Sequence, residues 1–445
     1  MEFISFWDAV TGISPMACRG SPRIRILLAV GRTPVREIRV GGSHVFGGVG
    51  NGSRRRALRS LCSVLLMGNL PRSVESFLAT LIRIPSVNPE YAGDRPDLAG
   101  EGRMVDYLAA LAARAGLRIK RQRVARGREN LIVTLPSRGR RRHRLLFAPH
   151  LDTIGADASM LRGVRKGDRL FGRGACDTKG CVAAMFFVLL QLAKDPDRPK
   201  GLEVTFVGLA DEEHAQLGSR AFAGTCPSFD LALVGEPTRL QVVSAHKGDF
   251  WFELETKGRA AHGSRPELGR NAVKRMADLV VALETTYADA LREHRHPLLG
   301  HATINVGVIS GGAQPNVVPD RCRIHVDRRT LPGESLRGVE REIRAVARKL
   351  GFSVGIRDLR QRPTPALETH PELPIVQQFL RATGQRETRG VDFFCDAAII
   401  AQAGVPCLVF GPGDIAQAHT ANEWISLTSL RRGTRLLDRF LRSFS

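Results

Sequence analysis

Seven residues in five separated patches of this chain carry groups that hold metal ions or move protons: His150 and Asp152 in APHLD, Asp177 in GRGACDTKG, Glu212 and Glu213 in ADEEH, Glu236 in VGEPT and His419 in AQAHT. Each patch alone is a weak signal, because a stray histidine is more often a satisfied residue and a pair of glutamates a solvated one. In this order and these settings they read as a two-metal hydrolase site. Two carboxylate-and-histidine sets joined by one bridging carboxylate can hold two divalent ions about 3.5 to 4 Å apart, as hydrolytic two-metal sites require. Nitrogen and oxygen donors without thiolate suit zinc, cobalt or manganese. Such ions polarise an acyl carbonyl and lower the pKa of a bound water from roughly 15.7 towards about 7. A further carboxylate must then move the proton. The adjacent Glu212 and Glu213 meet that need if one coordinates metal while the other acts as general base and later protonates the leaving amine.

The elements that position these residues share a geometry. LLFAPHLD is an apolar run ending in His150 and Asp152, which at a period of two point to the same side of a strand end. VTFVGLADEEH and LALVGEP repeat the arrangement, an apolar strand with acids where it emerges. Ligands of open α/β sheets gather outside the carboxyl ends of the strands, so three acid-bearing ends predict one shared site. Strands predicted over residues 131–135, 145–148, 204–209 and 231–234 alternate with an apolar helix over 182–193, giving an α/β sheet with helices on its faces. Upstream, Val74, Phe77, Leu78, Leu81 and Ile82 make one helical face halted by Ile84-Pro85, and Met104, Leu108, Leu111 and Ala115 make another closed by Gly116.

Between Lys247 and about Asp358 the pattern changes to a strand over 250–256, a helix over 271–294, strands over 303–309 and 321–327, a helix over 336–350 and a strand over 352–356. That β-α-β-β-α-β order is a ferredoxin-like α+β unit. It is inserted, because His419 arrives only after it. The expected division is therefore an extension over 1–66, a first catalytic part over 67–246, a lid over 247–358 and a second catalytic part over 359–445.

With these motifs in place, the chain resembles the dinuclear zinc amidohydrolase and peptidase superfamily of acetylornithine deacetylase, succinyl-diaminopimelate desuccinylase, aminoacylase and carboxypeptidase G. The likeness runs from about Met67 to the end, and GPGDIAQAHT is most similar to acetylornithine deacetylase-like members. The resemblance implies a zinc-peptidase-like catalytic domain with a mixed sheet and a lid that pairs two chains into a homodimer. It implies that His150 and Glu236 hold one Zn2+, that Glu213 and His419 hold the other, and that Asp177 bridges them. It further implies that Asp152 orients His150, that Glu212 is the base, that His262 in AAHGS stabilises the oxyanion, and that Asn316 in QPNVVPD and Arg329 in VDRRTLPGE clamp the substrate carboxylate. The implied activity is hydrolysis of the amide of an N-acyl-L-amino acid, acetylornithine-like substrates first, with a succinyl-diaminopimelate desuccinylase or a metallo-dipeptidase or carboxypeptidase as the alternative and a non-catalytic binding protein as the remote one.

Composition agrees with a cytoplasmic enzyme of two domains: 445 residues, 43% hydrophobic and 25% charged. The eight cysteines show no CxxC and no disulfide-like spacing, and Cys176 and Cys181 read as small buried residues flanking Asp177. The net charge of +22 invites a nucleic-acid reading, but ten Arg against three acids put +7 of it in residues 1–66. The densest run, Arg138 to Arg144, reads as a solvated turn without an aromatic-rich stripe, so no specific nucleic-acid partner is expected. Residues 1–66 are Gly-rich and basic in part and show no sustained period, which reads as a disordered or misannotated extension ahead of a start at Met67. No stretch approaches the ~20 apolar residues of a membrane span.

Overall fold

The computed structural model describes residues 25–26, 38–39, 70–360 and 362–444. Arg25–Ile26 and Ile38–Arg39 pair as a short antiparallel ladder, and the rest of the expected extension lies outside the described residues.

Ser73 caps α1 (Val74–Arg83), its hydroxyl accepting from Ser76 N at 3.2 Å, and the expected Val74, Phe77, Leu78, Leu81 and Ile82 face is buried. α2 (Gly102–Arg114) closes ahead of Gly116, whose φ of 69° is one glycine adopts freely. The chain then makes an antiparallel hairpin of β1 (Arg118–Ala125) and β2 (Arg128–Leu135), followed by β3 (His143–Pro149). α3 (Lys179–Lys194) crosses over to β4 (Leu202–Gly208) on one side of β3, whereas β5 (Leu231–Gly235) lies on its other side. That reversal opens a crevice at the carboxyl ends of the strands. β6 (Val243–His246) ends the first pass.

A second sheet follows: β7 (Gly248–Lys257), α4 (Ala272–Ala282), β8 (Thr303–Gly311), β9 (Arg321–Thr330), α5 (Leu336–Lys349) and β10 (Gly355–Asp358). Its strands run antiparallel in the order β8-β9-β7-β10, and Phe250, Phe252, Leu254, Ile324 and Val326 pack against Met276, Leu279, Val339 and Ile343 of the helices. Two details depart from the sequence pattern. The helix expected over 271–294 is interrupted by a π turn at Leu283–Tyr287. Leu279, Leu283, Tyr287 and Leu291 are all buried, and three successive steps of four residues outrun a 3.6-residue turn, so a wider turn brings them back into line. The strand expected over 352–356 pairs with β7 only from Gly355, because Phe352 and Val354 pack into the core first.

The chain re-enters the first sheet through β11 (Leu367–Glu368), α6 (Pro374–Thr383), β12 (Arg389–Val391) and β13 (Cys407–Val409), and α7 (Leu427–Arg442) follows. The strand order is β11-β6-β13-β5-β3-β4-β2-β1, with β12 beside β6. β13, β5, β3 and β4 are parallel and their flanks antiparallel, a mixed sheet. β4 and β5 are buried along their whole length, as strands covered on both faces are. Leu145, Phe147 and Phe206 join one core with α1, α3 and α7, while Leu146, Ala148 and Val207 meet Phe222 and Ala398 on the other face. Among the described residues no helix is long and apolar enough to cross a membrane.

Candidate functional site

The donors gather where the parallel strands end. His150 follows β3, Glu212 and Glu213 follow β4, Glu236 follows β5, His419 lies beyond β13, and Asp177 sits in the turn leading into α3. His150, Asp177 and Glu213 each offer a donor atom within 4.8 Å of the others. Asp177 turns one oxygen to each histidine, Oδ1 to His150 Nε2 at 3.1 Å and Oδ2 to His419 Nε2 at 3.5 Å. His419 Nε2 is also 3.0 Å from Glu213 Oε2, and His150 Nε2 is 3.9 Å from Glu236 Oε1. The five groups thus fall into a His150–Glu236 half and a His419–Glu213 half with Asp177 between them. His419 reaches its place with a left-handed φ of 61°, an unfavourable conformation for a residue with a Cβ and one that clusters at functional sites.

Electrostatics set this cluster apart. Burial pushes the carboxyls of Glu212 and Glu236 well above the usual range, and neighbouring carboxylates add to the shift. Glu213 is pushed up to about 7, again by burial first and then by Asp177. Burial disfavours the charged form of His150, yet its hydrogen bonds to Asp152 and Asp177 outweigh this and raise its pKa. Glu213 Oε1 is buried without a hydrogen-bond partner. Three carboxylates facing two histidines, with one oxygen unsatisfied, is a donor set that divalent cations would complete.

The surroundings hold the donors rigidly. His150 Nδ1 is 3.1 Å from the Asp152 carbonyl oxygen and 3.5 Å from its Oδ1, which leaves Nε2 for the cluster. The Asp152 carboxylate accepts from the backbone N–H of Glu212 and of Glu213, each at 3.1 Å. Glu423 does the same for Asp177: Oε1 accepts from Cys176 N and Asp177 N at 2.8 and 3.0 Å, and Oε2 from Gly174 N and Arg173 Nη1, both at 2.9 Å. Asp396 is buried close by, bonded to Ser219 with its Oδ2 unpartnered, and burial raises its pKa to about 7.

Glu423, Asp396 and the buried Asn88 stand in no sequence motif. Their partners are remote in the chain, and no local spacing marks them.

The other expected site residues, His262, Asn316 and Arg329, stand in the second sheet and its loops. His262 is exposed, with its Nδ1 2.7 Å from Ser264 Oγ, and it bridges Val317. Gly263 N donates to Asn316 O at 2.7 Å, so His262 and Asn316 share one corner of the second sheet. A Cβ on Gly263 would lie 2.9 Å from the Asn316 backbone, which explains glycine at that approach. Arg329 is paired with Asp327 at 2.9 Å, and its guanidinium lies 5.2 Å from the centre of the Phe394 ring, in the segment between β12 and β13.

Residues 146–443 match the peptidase family M20/M25/M40. The chain is similar to the acetylornithine deacetylase of Myxococcus xanthus, 31% identical over 360 residues that cover 77% of this chain and 92% of that one. It is 30% identical to the acetylornithine deacetylase of Vibrio cholerae over 355 residues, 77% and 90% of the two chains. Its fold is similar to that of an M20 family metallo-carboxypeptidase from Sulfolobus solfataricus, with a TM-score of 0.67, 17% identity and coverage of 84% and 99%. The chain belongs to peptidase family M20/M25/M40 and is a metal-dependent amidohydrolase.

Proposed function

We propose that the enzyme removes the acyl group of an N-acyl-L-amino acid, with acetylornithine-like substrates first. The observation that carries this reading is the division of the cluster about Asp177, one carboxylate oxygen toward each histidine. His150 and Glu236 would hold one Zn2+, Glu213 and His419 the other, and Asp177 would join them. Bound there, the ions would polarise the acyl carbonyl and make water a nucleophile near neutral pH.

The chain's own residues do the rest. Glu212, whose burial keeps its proton affinity high, takes the proton of the attacking water and returns it to the amine nitrogen as the C–N bond breaks. Asp152 keeps His150 oriented. His262 donates to the developing oxyanion, while Asn316 and Arg329 bind the substrate carboxylate. Because His262 is exposed on the lid, its role calls for a second chain whose cleft it enters. The edge strand β8, with Val308 and Ile309 exposed, supports pairing of two lids. The acetylornithine deacetylases among the relatives favour the acetyl group.

The test is a panel of N-acetyl, N-succinyl and dipeptide substrates assayed with added zinc or cobalt. N-acetylornithine is expected to give the highest kcat/KM. A preference of tenfold or more for a succinyl or dipeptide substrate overturns the acetyl assignment, and no turnover of any amide overturns the whole reading.

A further inference from the structure

Glu212 and Glu213 are adjacent, yet one has to reach the attacking water and the other a metal ion. Something must hold the backbone so that neighbouring side chains part. Asp211, just before the pair, adopts a left-handed φ of 70°, which a residue with a Cβ keeps only when its surroundings impose it. Those surroundings are visible. Asp211 is fully buried, its N–H donates to Glu101 Oε1 at 3.2 Å, and its Oδ1 accepts from Arg128 Nη1 at 2.5 Å and from Asn88 Nδ2 at 2.9 Å.

Asn88 is the joint of this arrangement. It is fully buried, and its amide uses both hydrogens, one on Asp211 Oδ1 and one on Asp152 Oδ2 at 2.8 Å. Two carboxylates that repel each other are thereby drawn to one donor. Asp152 in turn fixes the N–H groups of Glu212 and Glu213. The turn that begins at Asn88 also reaches the pair from its other side. Asn88 Oδ1 accepts from Glu90 N at 3.2 Å and shapes the turn Pro89–Tyr91, and Tyr91 Oη donates to the Glu213 carbonyl at 2.9 Å. One segment therefore grips the amides of the glutamate pair through Asp152 and its carbonyl through Tyr91.

We propose that Asn88 is a positioning residue that, through Asp152, Asp211 and Tyr91, keeps Glu212 and Glu213 apart in their two tasks. The inference rests on the assignment of Glu212 as base and Glu213 as metal ligand. A serine at position 88 keeps one donor, and alanine keeps none.

The test compares Asn88→Ala, Asn88→Ser and Tyr91→Phe with the parent enzyme, alongside Glu212→Gln. For Asn88→Ala, kcat should fall about tenfold or more while KM stays within about twofold, and the zinc dissociation constant of the metal-free protein, measured by dye competition, should rise about tenfold or more. Asn88→Ser should recover part of both losses. Tyr91→Phe removes one hydroxyl from a side chain at the surface and so tests the same grip if Asn88→Ala does not fold; its kcat should fall about threefold or more at constant KM. A lowered melting temperature with kcat and zinc affinity at parental values would show that Asn88 only satisfies a buried site, and the proposal would be wrong. An inactive Glu212→Gln beside a fully active Asn88→Ala sinks the positioning role alone, whereas an active Glu212→Gln sinks the assignment beneath it.

Discussion

The strand-end cluster and the corner of the second sheet that carries His262 and Asn316 are held differently. At the strand ends, His150, Asp152, Asp177 and Glu236 are buried, and segments far away in the chain supply the hydrogen bonds that orient them. At the corner of the second sheet, His262 is exposed, its ring bonds to Ser264, two residues on, and its backbone bridges Val317. The first region is organised before substrate arrives, so each of its parts should be costly to disturb. The second is tied across the chain by backbone contacts at Val317 and Asn316 while its histidine ring is presented to solvent, so its contribution should depend on what comes to meet it. A buried carboxylate with remote partners, such as Asp177, marks fixed machinery, whereas His262 offers an exposed ring to whatever approaches it.

Substitutions at four positions probe that contrast and its surroundings, in falling order of effect. Replacing the base should cost most: Glu212→Gln is expected to lower kcat by about 10² to 10⁴ with metal content near two zinc equivalents, whereas Glu213→Gln should weaken one metal. Metal analysis beside kinetics decides this, and metal loss that followed Glu212 instead would exchange the two roles.

Next comes His262→Ala, expected to lower kcat by about 10² to 10³ as loss of an oxyanion donor does. It also sharpens the comparison. When His262→Ala and Glu212→Gln subunits exchange into mixed dimers, one site has its own Glu212 and the partner's intact histidine, and activity should return. No recovery in verified mixed dimers would place His262 within its own chain or outside the reaction.

The smallest effect concerns stability with pH, at a buried residue beside the junction of the two sheets. His246 is fully buried at the end of β6, and burial lowers its pKa to about 4 from the ordinary 6.5. Between these values the unfolded chain binds a proton that the folded one refuses, so stability falls as pH drops from about 6.5 to about 4 and is unaffected by this group outside that window. Denaturant unfolding should show the parent losing on the order of 2 to 3 kcal/mol relative to His246→Asn across that window, asparagine keeping a donor for the Lys247 carbonyl. Parallel curves for the two proteins would rule out a neutral buried histidine.

The sheet was legible because its strands are unbroken apolar runs that stop at acids. The runs predicted over residues 145–148 and 231–234 became β3 and β5, because strands covered on both faces need apolar residues at every position. The lid strands were legible by alternation, as β9 shows, with Ile324 and Val326 buried. Less readable were the features set by contacts across long separations. Nothing near Asn88 indicates that it will meet Asp152 and Asp211, and Glu423 serves a loop that lies six strands of the first sheet and a whole inserted sheet earlier. The π turn at Leu283–Tyr287 escaped for a related reason: its driving force is the alignment of buried residues against a sheet that sequence alone does not place.

The insertion of the second sheet between β6 and β11 has a consequence for how the enzyme comes into being. During synthesis the ribosome releases His150, Asp177, Glu213 and Glu236 first, then a separate sheet with its own core, and only afterwards His419 and the Glu423 that ties down the Asp177 turn. A chain interrupted before this late segment has four of the five proposed ligands, lacks His419, and leaves the Asp177 turn without the Glu423 that holds it. If the ligand set proposed above is right, hydrolytic competence waits for near-completion of translation.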